Sequence, residues 1–278
     1  MSSNTADLNL VQHADINATP SHYKHLEDNE LLLTSIFYTI QGEGPWGGYA
    51  STFVRTAGCS LGRKENSCRF CDTFFKYSEG KVRTFDSILD EVKEKSKGRS
   101  NLIVITGGEP MLQKNIIEFV KYVNSQGFET QFETNGLLYR DIPKTGIGPA
   151  DSEDPIAFST MKNTIVCSPK MGASDKYPEL RGDVFDRADC LKFVVEKEGK
   201  FNYLPDYAFR FKKTGRPVYV SPINVYNRAV ERGETPCIFT PGLYNIEVCR
   251  ENYRYAGELC LEHGFILNIQ KHLLLGVD

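Results

Sequence analysis

The stretch CSLGRKENSCRFCDT places Cys59, Cys68 and Cys71 in one short polar segment and supplies no fourth cysteine. Thiolates grouped this way are metal ligands, because soft sulfur selects zinc or iron–sulfur clusters. Structural zinc takes four closed ligands. A histidine ligand would have to come from His13, His22, His25, His263 or His272, and there is no second Cys-x-x-Cys pair. Iron–sulfur clusters also normally take four thiolates. With three, one iron keeps a position open to an exogenous molecule, as a catalytic zinc does. The missing ligand would then make the site chemical. Zinc stays as the competing reading, whereas three unrelated buried thiols fit poorly in a segment as polar as SCRFCDT.

Such a loop needs elements to hold it. STFVRTAG (51–58) reads as a strand that ends at the cysteine loop. TFDSILDEVKEKSKG has Phe85, Ile88, Leu89 and Val92 at helical spacing, with lysines in its last turn. NLIVIT (101–106) is a β-branched strand broken by GGEP. MLQKNIIEFVKYVNSQG repeats helical spacing through Leu112, Ile116, Phe119, Val120 and Val123, and FETQFE (128–133) is a strand ended by TNG. NTIVC (163–167), CLKFVV (190–195) and PVYVS (217–221) read as further strands, followed by a helix near 248–263 and a strand FILNI (265–269). Strands alternating with helices imply parallel βαβ units. The expected fold is a single α/β domain, an open or partial β/α barrel, at 29–278, behind a polar tail at 1–28. The cysteine loop, GGEP, ETNG, SPK (168–170) and SPIN (221–224) each start at or just past the carboxyl end of a predicted strand. In parallel α/β architectures that end carries the active site.

The composition is ordinary for a globular chain: 278 residues, 40% hydrophobic, 25% charged, net charge −3. The slight acidity gives no electrostatic footprint for nucleic acid or for an anionic membrane. No apolar run is long enough to span a bilayer, and the first 28 residues lack the apolar core of a secretory signal. A cytoplasmic location is expected. Cys167, Cys190, Cys237, Cys249 and Cys260 are scattered singly and read as buried free thiols of a reducing compartment.

Three cysteines followed by one βα unit and an intact TGGEP resemble the radical S-adenosylmethionine superfamily. The first gap is eight residues, where the superfamily pattern has three; the second pair, Cys68 and Cys71, keeps its spacing. Within the superfamily the chain resembles the 7-carboxy-7-deazaguanine synthase family, some members of which also have a lengthened first gap. The resemblance rests on FYTIQGEGPWGG (37–48), FVRTAGC (53–59), CRFCDT (68–73), TGGEP (106–110), ETNG (133–136), SPK (168–170) and QKHLLLG (270–276). It implies conversion of 6-carboxy-5,6,7,8-tetrahydropterin to 7-carboxy-7-deazaguanine with release of ammonia, in deazapurine biosynthesis of the queuosine type. The implied cofactors are a [4Fe–4S] cluster, S-adenosylmethionine and Mg²⁺. A reductant such as flavodoxin and a homodimer are expected, with no nucleic acid or membrane partner.

The resemblance also implies residue roles. Cys59, Cys68 and Cys71 ligate iron and Thr73 ligates magnesium. Phe70, Cys71, Asp72, Gly108, Glu109, Ser168, Pro169, Lys170 and the segment Ser221, Pro222, Ile223, Asn224 contact S-adenosylmethionine, although SPIN departs from the family's Gln-Pro-x-Asp. Ile40, Gln41, Gly42, Glu43, Arg55, Thr106 and Asp278 contact substrate. Arg55 suits a carboxylate through two parallel hydrogen bonds, or else makes a structural ion pair. Glu43 or Gln41 suits the paired donors of the pterin 2-amino and N3–H groups, or else Glu43 is a solvated turn residue. His272 shapes the closing end of the site or is a terminal structural histidine. Two rival readings are a radical enzyme that activates a glycine on a partner protein, which does not predict QGEG or Arg55, and a non-catalytic zinc-binding module.

Overall fold

Strand β1 (Glu30–Ile40) opens the computed structural model, which describes residues 26–61, 80–144, 163–170, 176–228 and 234–277. Cys68, Phe70, Cys71, Asp72, Thr73 and Asp278 lie outside the described residues. β1 pairs antiparallel with β2 (Ala50–Thr56) on one side and with the short, charged β3 (Lys81–Thr84) on the other. From β2 onward each neighbour is parallel: β4 (Leu102–Gly107), β5 (Glu129–Thr134), β6 (Asn163–Cys167), β7 (Cys190–Val195), β8 (Val218–Pro222) and β9 (Ile266–Leu267). Among the described residues the order is β3-β1-β2-β4-β5-β6-β7-β8-β9, and the two ends do not meet. This is the open β/α barrel that the sequence implies.

Period-two alternation sorts the strand residues. Val54, Ile105 and Phe132 pack against α1 (Phe85–Ser96) and α2 (Ile116–Ser125) through Ile88, Leu89, Phe119 and Val120. Cys167, Leu191, Phe193 and Val220 pack against α3 (Gly182–Arg187), α4 (Asp206–Lys213) and α5 (Ile246–His263). The intervening residues face the inside of the barrel, and among them are Arg55, Thr106, Glu133, Lys192 and Ser221. The helix boundaries follow their caps. Thr84 accepts from Ser87 N, and Lys97 ends α1 in left-handed geometry at φ 49°. Asn245 accepts from Val248 N, so α5 starts at Ile246, before the expected 248.

Several expected boundaries move, each for a visible reason. The helix expected from Met111 begins only at Ile116, after a 3₁₀ turn over Pro110–Leu112. In between, buried Gln113 bonds Leu32 N, Leu32 O and Ala57 O, and Asn115 bonds the carbonyls of Glu27 and Glu30. These side chains pin β1, and the backbone beneath them leaves the helix. FILNI keeps only two residues as β9, because buried Asn268 turns its amide to Ser221 Oγ and Gly44 N. β1, β3, α3, α4 and α6 (Lys271–Leu275) were not expected. Leu26, three residues before the expected start of the domain, is buried.

Candidate active site

The rim at the carboxyl ends of the parallel strands is one hydrogen-bonded assembly. Gly58 O, one residue before Cys59, accepts from Glu109 N at 2.8 Å. Gly108 lies so close to Gly58 that any side chain there would collide with the Gly58 carbonyl. Its close approach within these residues is to neighbouring backbone. The Glu109 carboxylate, fully buried, accepts from Met111 N at 3.0 Å, Thr134 Oγ1 at 2.8 Å and Asn135 N at 2.8 Å. Burial pushes this carboxyl up to about 7, against the pull of those bonds and of Lys170. Asn135 Nδ2 in turn donates to Ser60 Oγ at 2.9 Å. Ser168 N donates to Thr134 O, and Lys170 Nζ donates to Ser168 Oγ at 2.6 Å. The cysteine turn, TGGEP, ETNG and SPK are thereby tied together. In SPIN, Ser221 Oγ accepts from Asn268, Ile223 N bonds Val195 O, and Asn224 joins Gln270 to Tyr253.

Cys59 is buried and outside any disulfide, in a turn fixed by these contacts. That donor chemistry fits a thiolate-held cluster. Cys167, Cys190, Cys249 and Cys260 are buried thiols, as expected; Cys237 is half-exposed, against expectation, with Sγ facing Leu274 O.

The QGEG residues arrive from the other end. Ile40 pairs with Ala50, the first residue of β2, so the connection 41–49 leaves the amino-terminal side of the parallel strands. Its residues nevertheless bond across the interior. Gln41 Nε2 donates to Glu133 Oε1 at 3.0 Å, and Glu43 N to Gln41 Oε1. Gly44 N donates to Asn268 Oδ1, and Trp46 Nε1 to Thr164 Oγ1. Glu43 forms an ion pair with Lys192. Gly42 has no room for a side chain because His272 and the Lys271 backbone pack against it. Glu43 is therefore no solvated turn residue. Burial pushes its carboxyl up, but Lys192, with lesser pulls from His272 and Lys170, holds it below the usual range.

Arg55 stands in register with Thr106, whose Oγ1 donates to Glu133 Oε2 at 2.9 Å. The Arg55 guanidinium lies 5.3 Å over Phe37, itself stacked on Phe53. Among the described residues it meets no carboxylate, and its Nε is buried without a hydrogen-bond partner. No structural ion pair explains it there. A hydrogen-bonded path thus runs Thr106–Glu133–Gln41–Glu43–Lys192, with Arg55 in register beside its first member.

Sequence reasoning missed Lys192, Glu133, Asn135 and Asn268. The first had a signal: Lys192 is the lone charge in CLKFVV, and a charge within a buried strand needs a partner. Glu133 and Asn135 lay inside the noted ETNG without an assigned role.

Comparison with known proteins follows the same lines. Residues 53–146 match the radical SAM superfamily. The chain is 33% identical over 258 residues to a 7-carboxy-7-deazaguanine synthase of Rickettsia prowazekii (strain Madrid E), covering 91% of each. It is 37% identical over 253 residues to one of Rhodospirillum rubrum, covering 90% of this chain and 94% of that one. The crystal structure of QueE from Escherichia coli shares the fold, with a TM-score of 0.60 at 17% identity over 96% of this chain and 99% of that one.

Proposed function

The chain belongs to the 7-carboxy-7-deazaguanine synthase family of radical S-adenosylmethionine enzymes, and from that premise we propose that its substrate is 6-carboxy-5,6,7,8-tetrahydropterin, converted to 7-carboxy-7-deazaguanine with release of ammonia. Membership sets aside the zinc-module and glycine-activating readings. A [4Fe–4S] cluster and S-adenosylmethionine go with the family, and when bound they supply one-electron hydrogen abstraction. Cys59, Cys68 and Cys71 would hold the iron, and Phe70, Asp72, Gly108, Glu109, Ser168–Lys170 and Ser221–Asn224 would surround the cofactor.

The observation that carries the substrate reading is an inner-face Arg55 that meets no carboxylate among the described residues, in register with the start of a Thr106–Glu133–Gln41–Glu43 hydrogen-bond chain whose Glu43 is largely buried and paired with Lys192. Arg55 would grip the substrate carboxylate through its fork of donors. Glu43 and Gln41 would accept from the 2-amino and N3–H edge, with Ile40, Gly42 and Thr106 lining the space between. Anaerobic turnover tests this directly. Reconstituted protein with reductant, S-adenosylmethionine and the carboxytetrahydropterin should yield 7-carboxy-7-deazaguanine and ammonium; an intact cluster with no turnover would refute the substrate.

Two finer roles belong to the same proposal. Thr73 would contribute a hydroxyl to Mg²⁺, which keeps waters and substrate oxygens as its other ligands. Thr73→Ala is then expected to weaken the magnesium dependence of the rate, and superimposable magnesium titrations for mutant and parent would remove this role. Asp278 would offer its side chain to the pterin. Gly276, left-handed at φ 62°, closes α6 two residues before it. A charge-assisted contact of about 1.5–3 kcal/mol corresponds to roughly ten- to a hundred-fold in binding. Removing Val277 and Asp278 should raise KM by about that factor and leave cluster absorbance unchanged; an unaltered KM would show a frayed end.

A flavodoxin-type reductant, a homodimer and a cytoplasmic location complete the proposal. The scattered thiols outside disulfides support a reducing compartment. Exposed Leu261, Ile266, Leu267, Leu274 and Leu275 support a self-association surface. No helix among the described residues is long and apolar enough to cross a membrane.

A further inference from the structure

Lys192 has no part in the chemistry above, yet its side chain is only 10% exposed on a central strand. A buried ion pair is weak grounds for stability, since apolar replacements of similar volume are often neutral or better. Its place asks for another reason. Glu43 is faced by Lys192 from β7, by His272 from α6 and by Lys170 from the segment after β6. Among the described residues only Lys192 hydrogen-bonds its carboxylate, through Oε2. Oε1 has no partner there. The carboxylate is also tethered through its own backbone, since Glu43 N is bonded to Gln41 Oε1.

We propose that Lys192 is a positioning residue that fixes the Glu43 carboxylate in place and in its ionised form, so that Oε1 serves as the acceptor for a paired N–H edge of a pterin-class ligand. The proposal rests on the substrate class argued above. Burial alone would favour the neutral acid, and a protonated Glu43 offers one of its oxygens as a donor, the wrong partner for an N–H edge. Without Lys192, Glu43 would take up a proton at higher pH, and recognition would become pH-dependent where it was not.

The test uses the oxidised analogue 6-carboxypterin, bound to reconstituted protein with S-adenosylmethionine and followed by fluorescence between about pH 5.5 and 7.5. The range brackets a carboxyl raised by burial. Because His272 and Lys170 are present in every variant, the ratio of variant to parent Kd isolates the Lys192 effect. For Lys192→Met that ratio should be about tenfold or more at the acid end and shrink as pH rises. Lys192→Arg should restore most of the affinity. In a Glu43→Gln background, Lys192→Met should add nothing, and this neutral pair also serves if the single variant does not fold. A pH-independent ratio, or losses that add in the double variant, would overturn the role of Lys192 while leaving the substrate class standing. Parent protein that neither binds 6-carboxypterin nor turns over would overturn both.

Discussion

Cys59→Ala is expected to abolish reconstituted iron and turnover together, whereas Cys167→Ala and Cys190→Ala retain both. The ligand form of cysteine is the thiolate. Burial pushes the thiols of Cys167 and Cys190 up, so they stay protonated inside the helix-covered core and the inner face. Cys59 instead sits in the rim turn next to Gly58 and Ser60, which are bonded to TGGEP and ETNG. Removing a buried sulfur should cost about 1–2 kcal/mol of packing at either core position, by analogy with other small core deletions. Iron per chain and the charge-transfer absorbance check this, alongside thermal unfolding. Full iron in Cys59→Ala would dissolve the three-thiolate site.

Gly108→Ala should be nearly as damaging, though it removes no ligand. The added methyl would meet the Gly58 carbonyl and lie 3.0 Å from Cys59 Cβ. Both obstacles are backbone or rigidly held, so no rotamer change relieves them. The exits of β2 and β4 must part, breaking the 2.8 Å bond from Glu109 N to Gly58 O. Overpacking of this kind costs about 3 kcal/mol or more. At this chain length that is a fall of roughly 5–10 °C in Tm, with reduced iron occupancy. Gly182→Ala is the control. Nothing lies within 4 Å of its added carbon, and the residue starts α3, so a change within about 1 kcal/mol is expected. Equal melting temperatures for the two variants would show that the rim is not closely packed.

Much of this was legible in the chain because it is local. Ile88, Leu89 and Val92 announce α1, and the run LIVIT announces β4, through periodicity alone. Motifs at strand ends then place the rim. What escaped notice is held by contacts distant in sequence. β1 has no clean alternation, because its register shifts between Leu33 and Ser35. β3 is a short charged edge that, among the described residues, pairs with β1 alone. Gln113, 81 residues from Leu32, decides where α2 starts, and no window of sequence contains both. In the site, Arg55 and Glu43 were readable as residue types suited to a carboxylate and a donor edge. Lys192 is 149 residues from Glu43, so the pair exists only once the sheet has formed.

The direction from which residues 41–49 enter has a consequence for how the family can vary. The turns that would surround iron and cofactor and the hairpin that would read the substrate sit on opposite ends of the same strands, joined by β2. A changed hairpin would meet the barrel through bonds to Glu133, Thr164, Lys192 and Asn268. The share of recognition that it carries can therefore vary while the turn at Cys59 keeps its own bonds, and the share carried by Arg55 and Thr106 stays with the strands.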